Sequence, residues 1–171
     1  SRILFLPARG LEARQPEAAD DWCRRILTLE PDNAAALNLL GLVAAQRGNS
    51  VAAEGLMRQA LAGQPDNPVF NCNLGILLAN QGRSSEALHH FEKSLHRQPD
   101  NVEILYNLIE LYEKTNQLDL ATKRTEQALT LTPDSAPLRY QLAKLAYRAG
   151  NSLHARDTVT SLLGRAPDPD L

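Results

Sequence analysis

The sequence has 171 residues, of which 43% are hydrophobic and only 5% aromatic, so small and aliphatic side chains must pack any core. Its formal net charge of −2 provides no field that would attract phosphates or an anionic membrane surface. No apolar run approaches the roughly 20 residues that cross a bilayer. These features argue against nucleic acid binding and membrane insertion, and the excess of alanine and leucine favours helices.

The first 33 residues contain one clear helical pattern. Pro7 and Gly10 interrupt what would be a first helix, whereas Ala19, Cys23 and Leu27 follow at helical spacing. We expect a degenerate first copy of a repeat over residues 1–33. The two cysteines form no C-x-x-C motif, which favours a reducing, cytoplasmic compartment. The N-terminus lacks a start methionine and looks truncated, which leaves a periplasmic location open.

From residue 31 onward, the chain repeats with a period of 34 residues. A proline followed by aspartate marks each boundary, at Pro31, Pro65, Pro99, Pro133 and Pro167. Proline ends a helix because it lacks a backbone N–H and restricts its predecessor. The following Asn33, Asn67 and Asn101 are suited to cap the next helix. The pattern predicts four full repeats, at 34–67, 68–101, 102–135 and 136–169.

Each repeat contains a second break near its middle. Gly48, Gly82, Asn116 and Gly150 recur there, and glycine and asparagine tolerate the left-handed backbone that closes a helix. We therefore predict a helix, a turn and a second helix in each repeat.

Two further rows describe how the paired helices pack. Small residues, Gly41, Gly75 and Ala143, recur in the first helix, and larger ones, Cys23, Met57, Phe91 and Val159, recur in the second. A small residue at a crossing lets two helix backbones approach closely. Ile109 breaks the first row and Thr125 breaks the second, so we expect the third full repeat to pack with a local adjustment and a slightly altered twist.

Together the boundary proline, the Leu40-Gly41 and Leu74-Gly75 pairs and the alanine row resemble the tetratricopeptide repeat family, in a bacterial-type form. The resemblance implies an all-α fold, a right-handed superhelical solenoid of antiparallel helix pairs, in a single domain over residues 1–171. It also implies a concave groove that binds a protein or peptide.

By this resemblance, the first helix of each repeat lines the groove. Asn73, Asn107 and Gln141 recur one repeat apart and are expected to form a ladder of carboxamides that could bind peptide main chain. Tyr106 and Tyr140 form a parallel row with apolar area and a polar tip. Lys144 and Arg148 are one turn apart and could hold a partner carboxylate. The predicted groove residues are Asn38, Asn73, Asn107, Gln141, Tyr106, Tyr140, Glu110, Lys144 and Arg148.

No pattern indicates catalysis, a metal or a cofactor. The four histidines include His89 and His96 on one helix, and these are seven residues apart, about 10 Å at 1.5 Å per residue, which is too far to share one ion. Cys72 has no histidine in its own helix to activate it. We therefore expect a protein that is not an enzyme.

Two alternatives to a peptide-binding module remain at this stage. The chain could be a substrate-recruiting arm of a larger enzyme of the sulfotransferase, glycosyltransferase or hydroxylase type, since such enzymes carry similar repeats. It could also be a self-assembling scaffold, because no polar capping helix follows Pro167 and uncapped repeat ends can associate.

Overall fold

A computed structural model of the protein describes residues 16–151, with side chains from residue 19 onward. All regular structure in this range is helical, as predicted. The helices are α1 (Pro16–Leu29), α2 (Ala34–Gln46), α3 (Ser50–Gly63), α4 (Pro68–Asn80), α5 (Ser84–Arg97), α6 (Val102–Lys114), α7 (Leu118–Leu131) and α8 (Ala136–Arg148). The interrupted first half of the degenerate copy at 1–33, the second helix of 136–169 and the C-terminal end that we expect to be uncapped lie outside the described residues.

The described helices pack as antiparallel hairpins, α2 with α3, α4 with α5 and α6 with α7. Each hairpin lies within one of the predicted 34-residue repeats. The helices fall into two compact units, α1–α5 and α6–α8, divided between Pro99 and Asp100. The single domain over 1–171 stays a prediction.

The predicted asparagine caps are present at the start of α2, α4 and α6. The side-chain oxygen of Asn33 accepts a hydrogen bond from the backbone N–H of Ala36 at 3.0 Å. Asn67 and Asn101 each accept from two N–H groups of the turn that follows them. Such a cap stabilises a helix by about 1 kcal/mol, so each repeat restarts its own helix independently of its neighbours.

The predicted left-handed turns are also confirmed. Gly48, Gly82 and Gly150 have φ values of 78°, 80° and 82°, and Asn116 has a φ of 58° at the same repeat position. These residues follow the first helix of their repeats, and Gly48, Gly82 and Asn116 reverse the chain into the second helix, because glycine and asparagine adopt this conformation at little cost.

Close helix crossings hold together each of the two hairpins of the first unit. A Cβ atom added to Gly41 would lie 2.8 Å from the Met57 side chain, and one added to Gly75 would lie 2.9 Å from the Phe91 ring. Met57 and Phe91 are themselves fully buried. Each large side chain of the second helix therefore lies directly on the backbone of the first helix.

The third hairpin uses the same two positions with the sizes exchanged. Ile109 takes the place of the glycine and Thr125 takes the place of Phe91, and both residues are buried. The Thr125 hydroxyl donates to the Ala121 carbonyl at 2.8 Å, so its polar group is satisfied inside the core. The two departures seen in the sequence thus compensate for each other.

The crossing gives a matched pair of substitutions with opposite effects. Gly75→Ala should lower the free energy of unfolding by about 1–3 kcal/mol, because the new methyl group overlaps the buried Phe91 ring. Gly55→Ala, in the interior of α3, meets nothing within 4 Å and should raise it by about 0.5–1 kcal/mol through helix propensity. Urea unfolding followed by circular dichroism measures both. Equal effects of the two substitutions would contradict the close crossing.

Candidate functional site

The first helices of the hairpins carry the predicted groove residues, and α4 is buried around its whole circumference. Every residue from Phe70 to Ala79 is buried, including Cys72 and Asn73. The carboxamide of Asn73 is therefore not presented to a partner in this structure, and the Cys72 thiol is packed.

Asn73 forms a polar pair with another predicted groove residue. Its Nδ2 donates to Oδ1 of Asn38 on α2 at 3.3 Å, and both side chains are buried. The two amides satisfy each other across neighbouring first helices, which removes the cost of leaving a buried polar group unpaired. Asn107 on α6 is likewise buried, so the predicted ladder of Asn73, Asn107 and Gln141 is mostly covered and stays a prediction as a peptide-binding element.

In the second unit, three predicted groove side chains converge on the carboxylate of Glu113, and we call these four residues the Glu113 cluster. Lys144 Nζ lies 2.6 Å and Arg148 Nη1 lies 2.7 Å from Glu113 Oε1. Gln141 Nε2 donates to Glu113 Oε2 at 2.6 Å. Lys144 and Arg148 were expected to hold a carboxylate of a partner. In the structure, they instead hold the carboxylate of Glu113 on α6 of the same chain.

The pKa of Glu113 reflects this environment. Burial alone would raise it, but the hydrogen bonds from Lys144, Gln141 and Arg148 and the charge of Lys144 outweigh burial and hold the pKa below its usual range. Glu113 is thus ionised at neutral pH and links α6 to α8.

Three of the four tyrosines leave their rings in solvent, and we call Tyr106, Tyr140 and Tyr147 the exposed tyrosines. Their exposed fractions are 43%, 66% and 73%. Tyr140 and Tyr147 are two helical turns apart on one side of α8, and Tyr106 takes the repeat position of Tyr140 on α6. Glu110, also predicted for the groove, is half-buried on α6. Exposed aromatic area accompanies the charged Glu113 cluster in this unit.

Sequence patterns did not indicate an ion-pair network between α3 and α5. Arg83 Nη1 lies 2.7 Å from Glu54 Oε1, and Arg83 Nη2 lies 2.6 Å from Glu86 Oε2. Arg58 also contacts both carboxylates. Because Glu54 and Glu86 are not one repeat apart, the 34-residue period carried no signal of this network.

Within residues 16–151, no helix is long and apolar enough to cross a membrane. The same range contains no group of three or more histidine, cysteine, aspartate or glutamate side chains that could hold a metal ion.

Comparison with known proteins agrees with the helical-repeat fold. Three sequence profiles, each described as tetratricopeptide repeat, match residues 11–68, 56–89 and 77–127. No curated protein matches the sequence.

Several solved structures share the fold. A crystal structure of MamA has a TM-score of 0.76 and 15% identity and covers 87% of each chain. A second MamA structure, from Desulfovibrio magneticus RS-1, has a TM-score of 0.75 and 20% identity over 91% of this chain and 89% of that one. YrrB, a TPR protein with an unusual peptide-binding site, has a TM-score of 0.76 and 18% identity over 91% of this chain and 80% of that one. At these identities, the likeness shows the fold alone.

The amide pair predicts coupled stability. Asn38→Ala and Asn73→Ala should each lower the free energy of unfolding by about 1–3 kcal/mol, because each leaves the other amide buried without its partner. The double substitution should lower the free energy of unfolding by about 0.5–1.5 kcal/mol less than the sum of the two single effects. Chemical unfolding of the four proteins measures the coupling. Asn80→Ala, at an exposed position of α4, is the control, and strict additivity would argue against the pair.

The Glu113 cluster predicts a pH-dependent effect. Glu113→Gln should lower the free energy of unfolding at pH 7 by about 1–2 kcal/mol, a figure reduced because Lys144 and Arg148 are partly exposed. The pKa of Glu113 is lower in the folded protein than in the unfolded chain, where it is near 4.5. The contribution of Glu113 to the free energy of unfolding is therefore complete above about pH 4.5 and is lost as the pH falls through the folded pKa. The difference between variant and parent should therefore shrink below about pH 4.5. A difference in unfolding midpoint that stays constant from pH 7 to pH 3 would contradict the prediction.

Proposed function

Because this chain belongs to the tetratricopeptide repeat family, we propose that it is a protein interaction module that binds a peptide or protein segment on its first helices. The single observation that carries the proposal is the exposure of Tyr106, Tyr140 and Tyr147 in a protein with few aromatic residues. Tyrosines that contact a partner supply apolar area and a hydroxyl group with little loss of side-chain entropy.

The energetic argument favours the second unit as the main binding surface. Covering one large side chain contributes about 2 kcal/mol, so two tyrosines on α8 alone would supply a substantial share of a micromolar affinity. The amides of Asn38 and Asn73 bond each other and act in the fold of the first unit. Glu110, Lys144 and Arg148 would set the charge around the tyrosines, and the neutral Gln141 donates to Glu113.

Two further observations support this proposal. YrrB, which shares this fold, has a peptide-binding site of its own. His90, whose pKa burial lowers to about 4, is half-buried and hydrogen-bonded to Asn71, an arrangement that suits a structural role better than catalysis. We propose that the chain acts by binding and does not catalyse a reaction.

The proposal can be tested by selecting peptides from a displayed random library with the parent protein and measuring their affinity by calorimetry. The double variant Tyr140→Ala/Tyr147→Ala should weaken binding of the selected peptides by at least about tenfold, because both rings lose their contact area. Both side chains are exposed, so the helices should remain folded.

Val51→Ala on α3 is the matched control, since Val51 is also an exposed apolar residue but lies on a second helix. Selected peptides that bind the tyrosine variant and the parent equally well would reject the exposed tyrosines as the binding surface.

A further inference from the structure

A pocket of about 260 Å³ opens in the first unit, whereas the exposed tyrosines belong to the second. It lies among α3, α4 and α5. Its lining combines apolar and basic side chains, including Arg58, Leu61, Leu74, His90 and Lys93. The volume is close to the lower end of small-ligand sites, which are about 300–1,000 Å³.

The pocket is associated with a polar substitution in the repeat pattern. Asn71 occupies the repeat position that holds Leu37 and Leu105, both buried, in the neighbouring repeats. Asparagine is smaller than leucine, so less apolar volume fills this position. The repeat therefore has a polar group where its neighbours have core packing.

The hydrogen bonds of Asn71 determine the chemistry of His90. Asn71 Nδ2 donates to the backbone carbonyl oxygens of Pro65, at 2.9 Å, and Asn67, at 3.0 Å. Because a carbonyl oxygen can only accept a hydrogen bond, this nitrogen must be the donor. Asn71 Oδ1 is therefore the acceptor toward His90 Nδ1, at 2.9 Å. His90 thus carries its proton on Nδ1 and has an unprotonated Nε2.

Two cationic side chains, Arg58 and Lys93, line the pocket, and its lining residues include no carboxylate. Glu54 and Glu86 are shared between Arg58 and Arg83. Lys93 lines the same pocket and makes no ion pair with any described residue. The charge of Lys93 is therefore available to one anionic group at the pocket.

We propose that this pocket binds an aliphatic carboxylate, with its carboxyl group near Lys93 and Arg58 and its hydrocarbon part against Leu61 and Ala62. This chemistry is shared by small free acids and by a peptide C-terminus that ends in an aliphatic residue. The pocket is a second site, independent of the exposed tyrosines.

N-acetyl-leucine is a suitable probe. N-acetyl-leucinamide, in which a neutral carboxamide replaces the carboxylate, is the uncharged control. Titration followed by NMR on the parent protein should show that the acid shifts the resonances of α3, α4 and α5 in a saturable way and that the amide does not. The acid should also raise the pKa of His90 from about 4, where burial and nearby positive charges hold it, because an adjacent anion favours the imidazolium form. Binding of the amide as tight as that of the acid, or no saturable shift with either, would overturn the proposal.

Lys93→Gln is the matched variant, because glutamine already occupies this repeat position at Gln59 and Gln127. It should weaken binding of the acid about tenfold, the value of one charge-assisted contact. Lys123→Gln makes the same change at an exposed position of α7 and should leave binding unchanged. Unchanged affinity in Lys93→Gln would contradict the assignment.

A peptide with a C-terminal leucine, compared with its C-terminally amidated form, distinguishes a peptide C-terminus from a small free acid as the ligand. Tighter binding of the peptide acid than of N-acetyl-leucine supports a C-terminus as the ligand, and equal binding supports a small free acid. The tyrosine variant Tyr140→Ala/Tyr147→Ala should bind N-acetyl-leucine normally, so this proposal and the proposed function can fail separately.

Discussion

The contact between a residue of minimal size in one helix and a large side chain in the next is the constraint on which the hairpins depend. Phe91 lies so close to Gly75 that even a methyl group would overlap its ring, and Met57 lies in the same way on Gly41. This contact fixes the separation of the paired helices. Because caps and left-handed turns fix where each helix begins and ends, the crossing falls at the same place in each repeat.

Most of the fold could be predicted from the sequence, because its determinants are local and recur every 34 residues. The Asn33 cap and the positive φ of Gly82 each depend on one residue and its neighbours. The exchange of sizes at Ile109 and Thr125 was predicted only as a local adjustment of the packing, because residue types alone do not show which two side chains meet across the hairpin. The compensation becomes visible only when the two positions are paired across the hairpin.

The candidate site was less predictable, because exposure and pairing depend on residues from different helices. Lys144 and Arg148 have the spacing of an anion-binding pair, but the sequence did not reveal that Glu113, on another helix, would supply the anion. Asn73 has the residue type expected of a peptide-binding amide, yet its partner is Asn38, which is 35 residues away and off the repeat period. A 34-residue pattern identifies equivalent positions and does not identify contacts between unlike positions.

One repeat position shows how a common backbone acquires different surfaces. Asn38, Cys72, Tyr106 and Tyr140 are equivalent by the 34-residue period, and the first two are buried whereas the two tyrosines are exposed. The crossing, the caps and the turns use other positions, so substitutions at this position leave the hairpin intact. The position is therefore free to pack a polar pair in one unit and to present aromatic area in the other. Binding specificity within this fold must depend on such positions, because those that determine the fold are already occupied by packing.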